Sequence, residues 1–355
     1  MAVKRGTKKG SMTASRRLSA KTKPRSINKK TTVQRTRRVS KRISRIEEEE
    51  NNKETDEENY EENDEEENSH DELDDDEVLS TYSGESGGDD KAGGYADNTL
   101  HPDTLRFLKD LAKHNDRDWF HGHKDIYKIA LADFKSFSST LQEELTQVDW
   151  TVPILPLERH NLFRIYRDIR FSSSKVPFKE YFSVAFSRTG KQGLYAKYYL
   201  SIQPGDQSFI GGGLWHPEAT HVSLMRREID QNPRGLKDIL VSRDFFANFL
   251  DPGAGRGRTS SKHIEAQALK GFLERNSEGA LKTAPKGYDK EHPDIDLLRL
   301  KSYTVGKRLK DSEVLLPNSM EFIVDVLRTL EPFVTYLNSI VMPDMGVTAA
   351  ANGGG

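Results

Sequence analysis

The sequence predicts an α+β protein: a single globular domain with an antiparallel sheet flanked by helices, preceded by a disordered tail. Three observations predict it. Apolar residues recur at helical spacing on both sides of a central region, they alternate with polar residues inside that region, and they are almost absent before Leu100. A tail so poor in apolar side chains cannot bury enough surface to offset its chain entropy.

The first helical stripe is short, carrying Leu105, Leu108 and Leu111. Asp116 then stands where a helix cap belongs, and Phe120, Tyr127, Phe134, Phe137, Leu141 and Leu145 follow mostly at spacings of three, four or seven. The β region comes next. Phe182, Val184 and Phe186 alternate with Ser183, Ala185 and Ser187, and Tyr198, Leu200 and Ile202 alternate with Lys197, Tyr199 and Ser201. Pro204-Gly205-Asp206 supplies a turn, and residues 208–214 form the returning strand. Such short connections favour an antiparallel meander with one packed face and one partly open face. Helices are expected over 217–229, 265–274, 294–300 and 317–340. In the last, Phe322, Val326, Leu330, Phe333 and Leu337 make the stripe, and Pro317 and Asn318 mark its start.

Charge divides the chain further. Residues 1–46 hold 17 Lys and Arg, with no acid before Glu47, and residues 47–100 hold 24 Asp and Glu against Lys53 and Lys91 alone. The near-neutral total of −2 therefore conceals a basic tail (1–46), an acidic linker (47–100) and a nearly balanced domain (101–342). Residues 251–263 read as a flexible insertion, and 343–355 as a disordered end. The chain has no cysteine, which removes disulfides, thiolate metal sites and cysteine nucleophiles. No apolar run approaches the ~20 residues of a membrane span, and the basic N-terminus has no apolar segment behind it to make a secretory signal. These features predict a soluble intracellular protein with no membrane partner.

The tail carries three basic clusters, 4–9, 21–30 and 35–45. They predict engagement of a nuclear import receptor and a nuclear location, with the cytoplasm as the alternative. Ser19, Ser40 and Ser44 each follow two basic residues at the offset that basophilic kinases prefer, so they are candidate phosphorylation sites.

The richest stretch is RIYRDIRFSSSKVPFKEYF, residues 164–182. Read as a strand, it sets Phe163, Ile165, Ile169 and Phe171 on one face, interrupted by Arg167, and Arg164, Tyr166, Asp168 and Arg170 on the other. With Lys197 and Tyr199 on the same open face and Lys175 and Lys179 approaching from the loop, guanidinium and ammonium groups gather as an anion site. The ligand-binding candidates are therefore Arg164, Arg167, Arg170, Lys175, Lys179 and, from a second Gly/Pro-rich segment, Lys286. Asp168 and His292 are the candidate proton carriers. A structural reading stands beside each: an internal Arg–Asp network for the first group, and a helix-capping role for His292. His121 and His123 are two apart on a helix and do not share a face, so no metal site is expected. Gly211-Gly212-Gly213 lacks the residues of a phosphate-binding loop and reads as a bulge or a close backbone approach.

Five segments, NDRDWFHGHKDIY (115–127), FRIYRDIRFSSSKVPFKEYF (163–182), YYLSIQPGDQSFIGGGLWHPE (198–218), APKGYDKEHPDIDLLRLKSY (284–303) and LEPFVTYLN (330–338), occur in an order that resembles the family known as domain of unknown function 2461. The resemblance covers nearly all of 101–340, and the long charged tail is of the fungal type. The family pattern often has Asp before the lysine after its Phe-Ser, where this chain has Ser174 before Lys175. The resemblance brings no assigned chemistry and no cofactor. The residues support three functions: a module binding an anionic ligand (nucleic acid or a phosphorylated small molecule), an enzyme acting on a phosphorylated or nucleotide-like substrate, or a scaffold whose Arg–Asp network is structural.

Overall fold

The structure, a computed structural model, describes residues 96–170, 176–250 and 261–343, all within the unit Gly88–Gly355. The basic tail, most of the acidic linker, Ser19, Ser40, Ser44, Lys175 and the C-terminal end lie outside the described residues, as do residues 251–260 of the insertion.

The predicted α+β architecture is present. Helices α1 (Pro102–Lys113), α2 (Arg117–Gly122), α3 (Lys124–Val148) and α4 (Leu157–His160) precede three strands, β1 (Phe182–Phe186), β2 (Lys197–Ile202) and β3 (Ser208–Leu214). Helices α5 (Ala219–Gln231), α6 (Pro233–Leu240) and α7 (Arg243–Phe245), a π-helical turn (Phe246–Leu250), α8 (Ser261–Arg275) and α9 (Ile295–Leu298) follow. The chain then returns through β4 (Tyr303–Leu309), α10 (Asp311–Val314) and α11 (Ser319–Val341). The sheet runs β1-β2-β3-β4 with every pair antiparallel.

The alternation read from the sequence decides which face is covered. Val184, Leu200 and Ile210 stand in register across β1 to β3, and Tyr198, Gly212 and Val305 across β2 to β4; all but the glycine are fully or almost fully buried. Helix α11 lies across this face, with Leu330, Phe333 and Leu337 at zero exposure, and α3 packs against α11 and β1. Tyr198 keeps its polar end inside by donating to Asp149 Oδ2 at 2.8 Å, while Asp149 Oδ1 accepts from the backbone and hydroxyl of Thr151. Burial and that carboxylate push the Tyr198 phenol far above its ordinary pKa. The glycine triplet is a close approach, as its pattern suggested. A Cβ on Gly212 would lie 2.9 Å from Leu330 Cδ2 and 2.2 Å from the Lys197 carbonyl oxygen, so the helix can settle on bare strand backbone.

Helix α6 falls where no element is expected, and α8 begins at Ser261, inside the segment 251–263; three further differences have a physical reason. The predicted helix after Asp116 is two helices, because the chain bends at His123 (φ −118°, ψ 18°) between α2 and α3. Strand β4 was hidden in sequence: Gly306 interrupts it and Lys307 and Arg308 follow, so its apolar alternation is short. The third is the predicted strand that opens at Phe163, described with the site below. Among the described residues no helix is long and apolar enough to cross a membrane.

Candidate functional site

The segment after α4 pairs with the free edge of β1 for only a few residues. The Asn161 carbonyl accepts from Ala185 N–H at 2.9 Å, Asn161 Nδ2 donates to the Ala185 carbonyl at 3.0 Å, and Phe163 N–H donates to the Ser183 carbonyl at 3.1 Å. It then leaves the sheet and pairs with itself. Lys179 N–H donates to Ile165 O at 2.7 Å and Arg167 N–H to Pro177 O at 2.9 Å, with Tyr166 opposite Phe178. The described residues on either side of 171–175 are thus the two arms of a short ladder rather than one strand. Pro177 can serve this ladder only as an acceptor. Phe178 has its backbone claimed from outside, by Asn115 Nδ2 donating to its carbonyl at 3.0 Å and Asn115 Oδ1 accepting from its N–H at 3.1 Å. Asp116 caps α2 through Trp119 N–H at 2.8 Å, which brings the Phe120 ring parallel to Phe178 with centroids 4.0 Å apart. Two segments distant in sequence are therefore one structural unit.

The redirected chain separates residues that one strand would have aligned. Arg170 grips Asp168 from Nε (3.2 Å), Nη2 (3.0 Å) and its own backbone N–H (2.9 Å). These hydrogen bonds hold the Asp168 carboxyl below the usual carboxylate range. The pair is exposed, so Asp168 is an ionised partner of Arg170 and is poorly suited to take a proton. Arg164 is exposed, and Arg167 half-buried.

Phe163 is the centre of a different arrangement. It lies on the outer face of the sheet, edge-on to Tyr199 of β2 with centroids 6.2 Å apart, and Tyr199 in turn lies 6.2 Å from Phe209 of β3. The ammonium groups of Lys179 and Lys191 each stand 5.7 Å from the Phe163 ring centroid, within cation–π range. Lys191 is anchored there by donating to the Leu162 carbonyl at 2.7 Å. Lys197 shares this outer face, and burial lowers its ammonium pKa. Arg308, in register with Phe209, is exposed and held by Gln207 Oε1 at 2.6 Å. Sequence reasoning missed Lys191, Phe209 and Arg308. The available signal was Phe209-x-Gly211-x-Gly213, an aromatic followed on its own strand face by residues without side chains.

Lys286 and His292 belong to another region. Lys286 is exposed in the turn 285–288, ahead of α9 and β4, whereas the ladder lies beyond β1 at the opposite edge of the sheet. His292 Nδ1 accepts from Asp294 N–H at 3.0 Å, and its Nε2 lies 3.3 Å from Asp230 Oδ1 on α5. Asp294, buried, meets Lys237 Nζ at 2.5 Å. His292 therefore ties α5 to the turn before α9, and the structure does not bring it together with Asp168. A shallow cavity of about 580 Å³ lies against α1, α2 and α3. Its walls include Trp119, His114 and His123, with Asp103 and Asp110 already paired to Arg106 and Lys113. Two carboxylates on its wall make it a poor receptor for an anion.

A helix-backed antiparallel sheet with an outer face of aromatic rings and cations defines a class of single-domain α+β protein with a solvent-facing sheet surface. The chain belongs to the family described as Conserved hypothetical protein (DUF2461), whose model matches residues 103–336. No match to the chain is found among curated proteins or among solved structures.

Proposed function

We propose that the domain is a binding module for an anionic, phosphate-bearing ligand, received on the outer face of the sheet at its β1 edge. The observation that carries this reading is the pair of ammonium groups converging on Phe163 from two different loops, each 5.7 Å from the ring. Ammonium groups donate charge-assisted hydrogen bonds to phosphate oxygens. Lys197 adds a third ammonium from the adjoining strand, with a desolvated pKa that a bound anion would raise again. Arg164 and Arg167 enter the ladder next to Phe163. Arg170, committed to Asp168, and Lys286, at the other edge, stand outside this site. The exposed Asp168 and the bracing role of His292 favour binding over catalysis. The basic clusters of the tail carry a second part of the proposal, delivery to the nucleus by an import receptor.

The test is thermal unfolding of the full chain with inorganic polyphosphate, nucleotides and sugar phosphates. A ligand that binds only the native state raises the melting temperature by mass action, by about 2.7 kcal/mol of stability at 100 Kd. The stabilisation is expected to disappear in Lys179→Gln and Lys191→Gln, whose own unliganded melting temperatures serve as the folding control. Stabilisation that survives both substitutions refutes this site. Localisation of a fluorescent fusion, with and without neutralised basic residues at 35–45, tests the nuclear part.

A further inference from the structure

We infer that the outer face of the sheet is a stacking platform for the unpaired bases of a single-stranded nucleic acid, with Phe163, Tyr199 and Phe209 as the rings and the lysines as phosphate contacts. This rests on the anion-binding reading above and names its ligand class.

The strongest ground is the room the sheet makes for Phe209. A Cβ at Gly306 would fall 1.9 Å from Phe209 Cζ and 2.4 Å from its Cε2, so the ring occupies the space a side chain on β4 would take. A Cβ at Gly211 would approach Phe209 Cε1 to 3.1 Å. The outer end of the ring is therefore seated over bare backbone, and the ring stays partly exposed. Phe209, Tyr199 and Phe163 are all partly exposed and step across three adjacent chain segments at 6.2 Å intervals. A packing role alone would bury such rings against a helix, as α11 buries those on the other face. Aromatic rings on an open sheet suit nucleobases because every base has a π-face, whatever its sequence.

The cations have the matching placement. Lys179 and Lys191 flank the first ring, Lys197 lies on the strand of the second, and Arg308 is in register with the third. A polynucleotide running across the strands would meet a ring and a cation at each step. Two acids at the far end of the path are engaged with backbone. Asp206 and Asp311 exchange hydrogen bonds at the β2–β3 turn, where Asp311 accepts from Gly205 and Asp206 N–H and Asp206 accepts from Asp311 N–H. The domain is close to neutral, so the footprint is a few nucleotides held largely by stacking, without the markedly basic face of a broad nucleic-acid binder.

The experiment is calorimetric titration of the full chain with the tetranucleotide dT4 and, separately, with tripolyphosphate, which offers charge without bases. So short an oligonucleotide gives the basic tail few phosphates to hold. The expected result is tighter binding of dT4 than of tripolyphosphate. Phe209→Leu and Tyr199→Leu should each weaken dT4 by about 10-fold and leave tripolyphosphate unchanged. Equal binding of the two ligands, insensitive to both aromatic substitutions but lost in Lys179→Gln, overturns the platform and leaves the anion site standing. Tripolyphosphate binding indifferent to Lys179→Gln and Lys191→Gln removes the anion site itself. Should an aromatic variant fail to fold, ultraviolet cross-linking of oligo(dT) to the unaltered chain decides the matter. Cross-links in peptides containing Phe163, Tyr199 or Phe209 support the platform, and cross-links confined to residues 1–46 refute it.

Discussion

The two faces of one sheet have been put to opposite uses by the same strands. On the helix side, Tyr198, Leu200, Ile202, Ile210 and Val305 are buried under α3 and α11, and a missing side chain, at Gly212, admits a helix. On the outer side, Tyr199, Phe209 and Lys197 are partly exposed, and a missing side chain, at Gly306, seats an aromatic ring. Glycine is a packing device on both faces, but it serves the core on one and a surface on the other. The difference implies that substitutions on the helix face change stability, while those on the outer face change binding.

The strongest way to break that division is Phe333→Ala. Phe333 is wholly buried against Phe245 and Phe272, so its truncation should cost about 3–5 kcal/mol. Urea unfolding measures this, and a loss below ~1 kcal/mol would mean the helix face is not the core. A second pair sharpens the division within the core. Tyr198 and Tyr303 are both fully buried, but only Tyr198 has a hydrogen bond, to Asp149; the Tyr303 hydroxyl has no partner among the described residues. Tyr198→Phe strands a buried carboxylate oxygen and should cost about 1–3 kcal/mol, whereas Tyr303→Phe removes an unsatisfied group and should be neutral or stabilising. Equal losses in the two variants would contradict this contrast. On the outer face, Phe209→Leu keeps apolar cover over Gly306 on a half-exposed ring, so its unfolding cost should stay below about 1.5 kcal/mol.

The smallest effect is a pH dependence on the helix side. Asp133 accepts from Thr104 Oγ1 at 2.5 Å and His101 N–H at 3.0 Å, and burial raises its carboxyl above the unfolded value of 3.8 despite those bonds. The folded protein therefore binds this proton more tightly than the unfolded chain. The stabilisation is full below pH 3.8 and is lost as pH rises through the folded-state value. The melting temperature of the wild type relative to Asp133→Asn should accordingly climb as pH falls through the acidic range. A difference that is flat or shrinks would mean that Asp133 is not destabilised as a carboxylate.

The helix face was legible in the sequence because burial enforces periodicity: Phe182, Val184 and Phe186, and the stripe from Phe322 to Leu337, have no freedom to be polar. The meander was legible for the same reason, with Pro204-Gly205-Asp206 marking its turn. Strand β4 was not, since Gly306 answers to Phe209 on a neighbouring strand and leaves no apolar mark in its own segment. The site was legible only in part. The stretch at 164–182 reads as rich in cations, but alternation cannot show that the chain turns back on itself. That reversal depends on Asn115 holding Phe178, 63 residues away. Asp168 and Arg170 consequently pair with each other, and Lys191 takes a place beside Phe163 that no local pattern announces.

The central claim is that the outer face, and specifically its β1 edge, receives the ligand. Hydrogen–deuterium exchange of the full chain with and without tripolyphosphate tests it most directly. The account predicts slowed exchange at Phe163–Tyr166, Lys179, Lys191 and along β2, with the segment from Lys286 to Asp294 unchanged. Protection confined to that distant segment, or to the helices that back the sheet, would contradict it.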